Sequence, residues 1–157
     1  MAKPMIVLLV GLPGSGKSTW ASGKKGVLSS DALRELLADD PDNQTIHARV
    51  FRVLRDLLKH RLELKRPVTY IDATNLTPKS RRDYIKLAHR FDCEIEAVFF
   101  DVPAEECMRR NRGRQRIVPD EVIRKMAKEL VAPSVAEGFS RVKLWRDENS
   151  PSLRARE

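Results

Sequence analysis

Val7-Leu8-Leu9-Val10-Gly11-Leu12-Pro13-Gly14-Ser15-Gly16-Lys17-Ser18-Thr19 runs an apolar stretch straight into a G-x-x-x-x-G-K-S segment. The apolar run reads as a buried strand, the glycines as a loop that wraps close to a polyphosphate, and Lys17 onward as the start of a helix. Gly11, Gly14, Ser15, Gly16, Lys17, Ser18 and Thr19 form the expected nucleotide-binding set. In it, backbone N–H groups face phosphate oxygens, Lys17 reaches the β- and γ-phosphates, and the Ser18 hydroxyl holds Mg²⁺. A helix start adds the positive end of its dipole to the same anion site. The loop therefore predicts a nucleoside triphosphate, and the expected cofactors are ATP and Mg²⁺, although no base-reading motif appears.

Composition narrows the setting. A chain of 157 residues fits one domain with a core of its own. Its two cysteines, Cys93 and Cys107, belong to no C-x-x-C or Cys/His cluster, which argues against structural zinc and for a reducing compartment. The Met5–Val10 run is too short for a membrane span and leads into the loop, so the expectation is a soluble, cytoplasmic protein. A formal charge of +8 favours polyanionic partners without identifying one.

Strand-like runs at Ile6–Val10, Gly26–Leu28, Val68–Ile71, Ile95–Phe100 and Val142–Trp145 alternate with helix-period segments. That pattern predicts an α/β fold: a P-loop NTPase-type three-layer sandwich, its mainly parallel sheet of about five strands having helices on both faces. Helices are expected from Ser30 as N-cap, from Gln44 to Leu64, after Thr77-Pro78, from Asp101-Val102-Pro103 to Arg110, and from Pro119 to Leu130. His47, His60 and His89 fall within helices and are assigned no chemistry. One domain is expected over residues 1–146, with 147–157 a polar, flexible tail.

Ligands of an open α/β sheet bind beyond the carboxyl ends of its strands. Two further polar segments fall there: Ser29-Ser30-Asp31-Ala32-Leu33-Arg34 and Asp72-Ala73-Thr74-Asn75. Asp31 reads either as a general base for an acceptor hydroxyl or as a first-turn carboxylate complementing the helix dipole. Arg34, one turn on, reads either as an anion contact or as a surface partner of Asp31. Asp72, at a strand end, reads as support for Mg²⁺ or as a satisfier of loop backbone. Arg109-Arg110-Asn111-Arg112-Gly113-Arg114-Gln115-Arg116 reads as an arginine-rich lid over ATP, the rival being a solvated face.

These segments together resemble the P-loop polynucleotide 5′-kinase family, as in bacterial polynucleotide kinase-phosphatases and the phage and animal end-healing kinases. The resemblance rests on Gly11 to Trp20, Ser29-Ser30-Asp31 with Arg34, Ile71-Asp-Ala-Thr-Asn-Leu-Thr-Pro78 with Arg81-Arg82, and Phe100-Asp-Val-Pro103. It continues through Arg110-Asn-Arg112, Val118-Pro119, Ala132-Pro-Ser134 and Glu137-Gly-Phe139. It implies transfer of the ATP γ-phosphate to a 5′-hydroxyl end of DNA or RNA. Asp31 would be the general base, Arg34 would contact an acceptor phosphate, Lys17 and Ser18 would keep their roles, and Arg112, Arg114 or Arg116 would act from the lid. The phage members carry Asn-Arg where this chain has Ser29-Ser30, and the short Lys17–Asp31 interval implies an abbreviated first helix.

Two other functions fit parts of the pattern. A P-loop phosphotransferase for a small-molecule hydroxyl (sugar, nucleoside or antibiotic) would need an enclosed acceptor pocket. An ATP-driven RNA-binding switch would need no acceptor base. A polynucleotide acceptor would instead use cations such as Arg49, Arg52, Arg55, Lys59, Arg61, Lys65, Arg66, Lys79, Arg81 and Arg82 to guide its backbone.

Overall fold

The computed structural model describes residues 3–114 and 117–146. Arg116 and the expected tail at 147–157 lie outside the described residues. The strands are β1 (Met5–Val10), β2 (Val27–Ser29), β3 (Val68–Asp72), β4 (Glu94–Phe100) and β5 (Arg141–Trp145). They form one fully parallel sheet in the order β2-β3-β1-β4-β5. The helices are α1 (Lys17–Ala21), α2 (Ser30–Ala38), α3 (His47–Glu63), α4 (Pro78–Arg90), α5 (Ala104–Asn111) and α6 (Asp120–Glu129). No described helix is long and apolar enough to cross a membrane.

Side chains alternate across β1, so the strand feeds two cores. Ile6 and Leu8 pack with Leu54, Leu58, Tyr84 and Leu87 of α3 and α4 on one face. Val7 and Leu9 pack with Ala21, Val98 and Phe100, flanked by Trp20 and Trp145, on the other. This is the expected three-layer sandwich. A third cluster, built on Leu12, Cys107, Met108 and Ile123, joins the loop after β1 to α5 and α6.

Local chemistry sets the element ends. Ser29, rather than the expected Ser30, caps α2: its side chain accepts from the Ala32 N–H at 3.2 Å. Thr77 and Ser80 form a capping box ahead of Pro78 at the first turn of α4. The expected helix from Gln44 begins as a 3₁₀ turn, Gln44–Ile46, before α3. Helix α1 has five residues, the abbreviation that the short Lys17–Asp31 interval implied.

Two arginines grouped by sequence with the surface cations are internal struts. Arg61 on α3 donates to Thr69 Oγ1 at 2.9 Å and to the Val68 carbonyl at 3.0 Å, pinning α3 to β3. Arg81 is fully buried and bonds Glu137 through both carboxylate oxygens, at 2.9 and 3.0 Å. Its Nη1 also donates to the carbonyls of Asn75 (2.9 Å) and Val131 (3.0 Å). Removing one member of a buried ion pair leaves its partner uncompensated. Arg81→Ala is therefore expected to lower the unfolding free energy by about 3–5 kcal/mol in a urea titration. Lys79→Ala, exposed on the same helix, is expected to change it by no more than about 0.5 kcal/mol.

Candidate active site

The glycines of the phosphate loop are fixed by close neighbours. Gly14 (φ 84°) lies where a Cβ would come within 2.5 Å of the Cys107 carbonyl, so the loop packs directly on α5. Gly16 (φ 103°) faces the ring of Trp145 and the Arg110 guanidinium. Positive φ at both positions is open to glycine with little strain, and it turns successive N–H groups to one side as an anion cradle. With α1 only five residues long, that cradle rests on loop N–H groups more than on a helix macrodipole.

Lys17 curls back over the loop. Its Nζ donates to the Gly11 and Leu12 carbonyls at 2.9 and 2.8 Å and lies 3.5 Å from Ser15 Oγ. Burial pulls its pKa down to about 8; Asp72 and Asp31 oppose that shift, and Arg114 adds to it. The same balance puts Asp31 and Arg114 within electrostatic reach of Lys17.

Ser18 Oγ donates to Asp72 Oδ2 at 2.8 Å. A hydroxyl and a carboxylate at that separation suit Mg²⁺, which takes oxygen ligands and shares its shell with substrate phosphates. Among the described residues no group of His, Cys, Asp or Glu could hold a metal alone. The donor set thus fits a metal brought in with a polyphosphate.

The segment after β3 is built under the loop. The Thr74 carbonyl accepts from the Gly11 N–H at 3.0 Å. Asn75, left-handed at φ 49°, donates through Nδ2 to the Leu9 carbonyl at 2.7 Å. Asp72, Thr74 and Asn75 thus tie the end of β3 and the segment after it to α1, the phosphate loop and β1 in turn.

Register brings the start of α2 close, since β2 pairs Ser29 beside Asp72. Two residues later Asp31 meets Arg34, Nη1 to Oδ1 at 3.2 Å. The Arg34 side chain is 5% exposed, so it is turned inward rather than standing on the surface. Its Nη2 lies 3.4 Å from His47 Nδ1, and its Nε is buried with no hydrogen-bond partner among the described residues. Arginine can only donate, so Nδ1 accepts and the proton sits on Nε2. Burial, then the Arg34 charge, hold the His47 imidazole below its ordinary pKa. Nothing in the local sequence marks His47; only the turn between α2 and α3 brings it to Arg34.

The arginine-rich segment divides. Arg109 and Arg110 both bond Glu106, Arg110 at 3.1 Å, and Arg109 first holds that carboxyl below its ordinary pKa. Asn111 is fully buried and exchanges two hydrogen bonds with the Val118 backbone, closing the base of the segment. Arg112 is held by Asp120 at 2.8 Å. Arg114 lies in electrostatic reach of Lys17, and Arg110, absent from the expected set, lies against Gly16.

A parallel sheet in this order, with a glycine-rich loop gripping its own lysine and a hydroxyl–carboxylate pair beside it, defines a P-loop kinase fold. The sequence agrees, and the chain belongs to the AAA domain family, whose pattern matches residues 6–133. It is 30% identical over 140 residues to the L-seryl-tRNA(Sec) kinase of Methanococcus maripaludis, covering 82% of this chain and 53% of that protein. It is 28% identical over 143 residues to the bifunctional polynucleotide phosphatase/kinase of Schizosaccharomyces pombe, covering 87% and 32%. With transcription factor bHLH140 of Arabidopsis thaliana it shares 31% over 151 residues, 90% of this chain and 16% of that protein. The chain thus spans about half or less of the length of these relatives. In structure it is similar to a chain of the Pnkp1/Rnl/Hen1 RNA repair complex, with a TM-score of 0.70 and 26% identity, covering 83% of this chain and 45% of that one.

Lys17 yields a pH prediction. Its pKa near 8 in the nucleotide-free chain rises when phosphate oxygens replace the loop carbonyls, so ATP binding above that pH takes up a proton. Calorimetry at about pH 8.5 in buffers of different ionisation enthalpy should detect that uptake in the wild type. At about pH 6.5, where Lys17 is already protonated, it should contribute no uptake.

Proposed function

We propose that this chain is an ATP-dependent polynucleotide 5′-hydroxyl kinase. The observation that carries the reading is that Asp31, paired with the inward Arg34 and two residues past Ser29, which the register sets beside Asp72, is within electrostatic reach of Lys17. A carboxylate at that end of the sheet could accept a proton from an acceptor hydroxyl beside the phosphate loop. Two comparisons favour a nucleic-acid acceptor: the likeness to a bifunctional polynucleotide phosphatase/kinase and to a chain of an RNA repair complex.

In this reading the loop N–H groups and Lys17 hold the triphosphate, and Lys17 exchanges its two carbonyl partners for phosphate oxygens. Ser18 and Asp72 would hold Mg²⁺, which supplies charge neutralisation on the phosphates. Asp31 accepts the proton of the acceptor hydroxyl as that oxygen attacks the γ-phosphorus and the bond to the ADP leaving group breaks. Arg34 orients Asp31 and, with an Nε that has no hydrogen-bond partner among the described residues, is a buried cation beside it for an acceptor phosphate. Arg114 and Arg110 neutralise charge on the transferring group, while Arg112 braces the segment through Asp120. Arg116 remains an expectation from the sequence.

A small-molecule acceptor is the rival, and the outcome of one assay separates the two. With γ-labelled ATP, Mg²⁺ and a 5′-hydroxyl oligonucleotide, the wild type should transfer label. Asp31→Asn should cut kcat by about 10²–10⁴-fold while leaving ATP affinity intact, and Lys17→Ala should lose transfer and ATP affinity together. Full activity in Asp31→Asn would remove the base from the mechanism.

A further inference from the structure

Helix α4 carries a cation where its own dipole disfavours one. Lys79 sits in its first turn, which has no acidic residue, although the positive end of a helix favours carboxylates. Lys79, Arg82, Lys86 and Arg90 follow at steps of three and four residues, all exposed, and so share one face. At 1.5 Å per residue the stripe is about 16 Å long. Lys79, Arg82 and Lys86 have no ion-pair partner among the described residues.

Across from the stripe, Arg55 and Lys59 of α3 face Asp83, Lys86 and Arg90 over a groove. Asp83 stands 4.0 Å from Arg55, which leaves the groove cationic. The Tyr84 hydroxyl is buried without a hydrogen-bond partner, within electrostatic reach of both Arg55 and Asp83. The groove also has a direction. Helix α4 starts just past the carboxyl end of β3 and α3 starts at His47, which contacts Arg34. Both helices run from the site's end of the sheet toward the opposite end.

We propose that the α3–α4 groove is the track for the phosphodiester backbone of a single-stranded acceptor, leading away from a 5′ end held at Asp31 and Arg34. This inference rests on the polynucleotide kinase reading and extends it from the reacting hydroxyl to the body of the strand. The cations flank a single groove from both of its walls, which matches one backbone lying between them rather than the two of a duplex. Their number makes binding sensitive to salt through counterion release.

The test compares two acceptors: a 5′-hydroxyl single strand of about twelve nucleotides, run as DNA and as RNA, and a nucleoside 3′-monophosphate too short to enter the groove. Lys86→Glu combined with Arg90→Glu, far from the site, should raise the KM for the strand about tenfold. The KM for the nucleoside 3′-monophosphate and the ATP affinity should not change. The dependence of log(kcat/KM) on log salt should flatten by about 1 to 2 for the strand alone. A control, Lys24→Glu with Lys25→Glu, alters the same charge beside Trp20 on the opposite face and should leave both acceptors unaffected. An unchanged strand KM in the groove variant, with wild-type transfer intact, overturns the track alone. So does an equal rise in the control. Failure of the wild type on both acceptors overturns the kinase reading, and the track with it.

Discussion

The arrangement around the phosphate loop depends on one buried guanidinium. Arg81 is fully enclosed, and its donors reach Glu137, the Asn75 carbonyl and the Val131 carbonyl. A buried charge is tolerated only when paired and hydrogen-bonded, and here the partners come from three separate segments. Glu137 also caps its own turn, accepting from the Ser134 N–H at 2.9 Å, while Phe139 two residues on enters the core. The guanidinium thus locks the chain before β5 against the segment after β3, and Asn75 passes that position on to Leu9 at the end of β1.

What is held in place is a loop with little freedom. Gly14 abuts the α5 backbone and Gly16 abuts Trp145, so the cradle is shaped from outside as well as by its own turn. Within that packing Lys17 is desolvated, which depresses its pKa and strengthens its attraction for phosphate oxygens. Asp72 bonds the neighbouring Ser18, and Asp31, paired with Arg34, lies within electrostatic reach of Lys17. Asp31 follows β2, Asp72 ends β3 and Lys17 follows β1, so the three gather at the carboxyl ends of adjacent strands.

Much of this was legible in the sequence because it depends on local pattern. The apolar run into Gly11–Thr19 gave away β1 and the cradle, and the five strands lie within one or two residues of their expected limits. The side of the sheet carrying Asp31 and Asp72 followed from strand polarity alone. What stayed hidden was long-range. Nothing local separates Arg81 or Arg61 from their exposed neighbours, since their burial is decided by Glu137, Val131, Thr69 and Val68. His47 acquires its contact only when α3 folds back on α2. In the arginine-rich segment, composition gave the charge, but Asp120 holds Arg112 and Glu106 holds both Arg109 and Arg110, while Arg110 also lies against Gly16 and Arg114 within electrostatic reach of Lys17.

The central claim is that the acceptor is the 5′-hydroxyl of a nucleic-acid strand. The most direct measurement offers γ-labelled ATP and Mg²⁺ to two oligonucleotides of one sequence, one ending in a 5′-hydroxyl and one in a 5′-phosphate, in a mixture with small hydroxylated acceptors. Nuclease digestion then locates the label. The account predicts label only on the 5′-hydroxyl strand, released as a nucleoside 5′-monophosphate. Label on a small acceptor, with none on either strand, would contradict it.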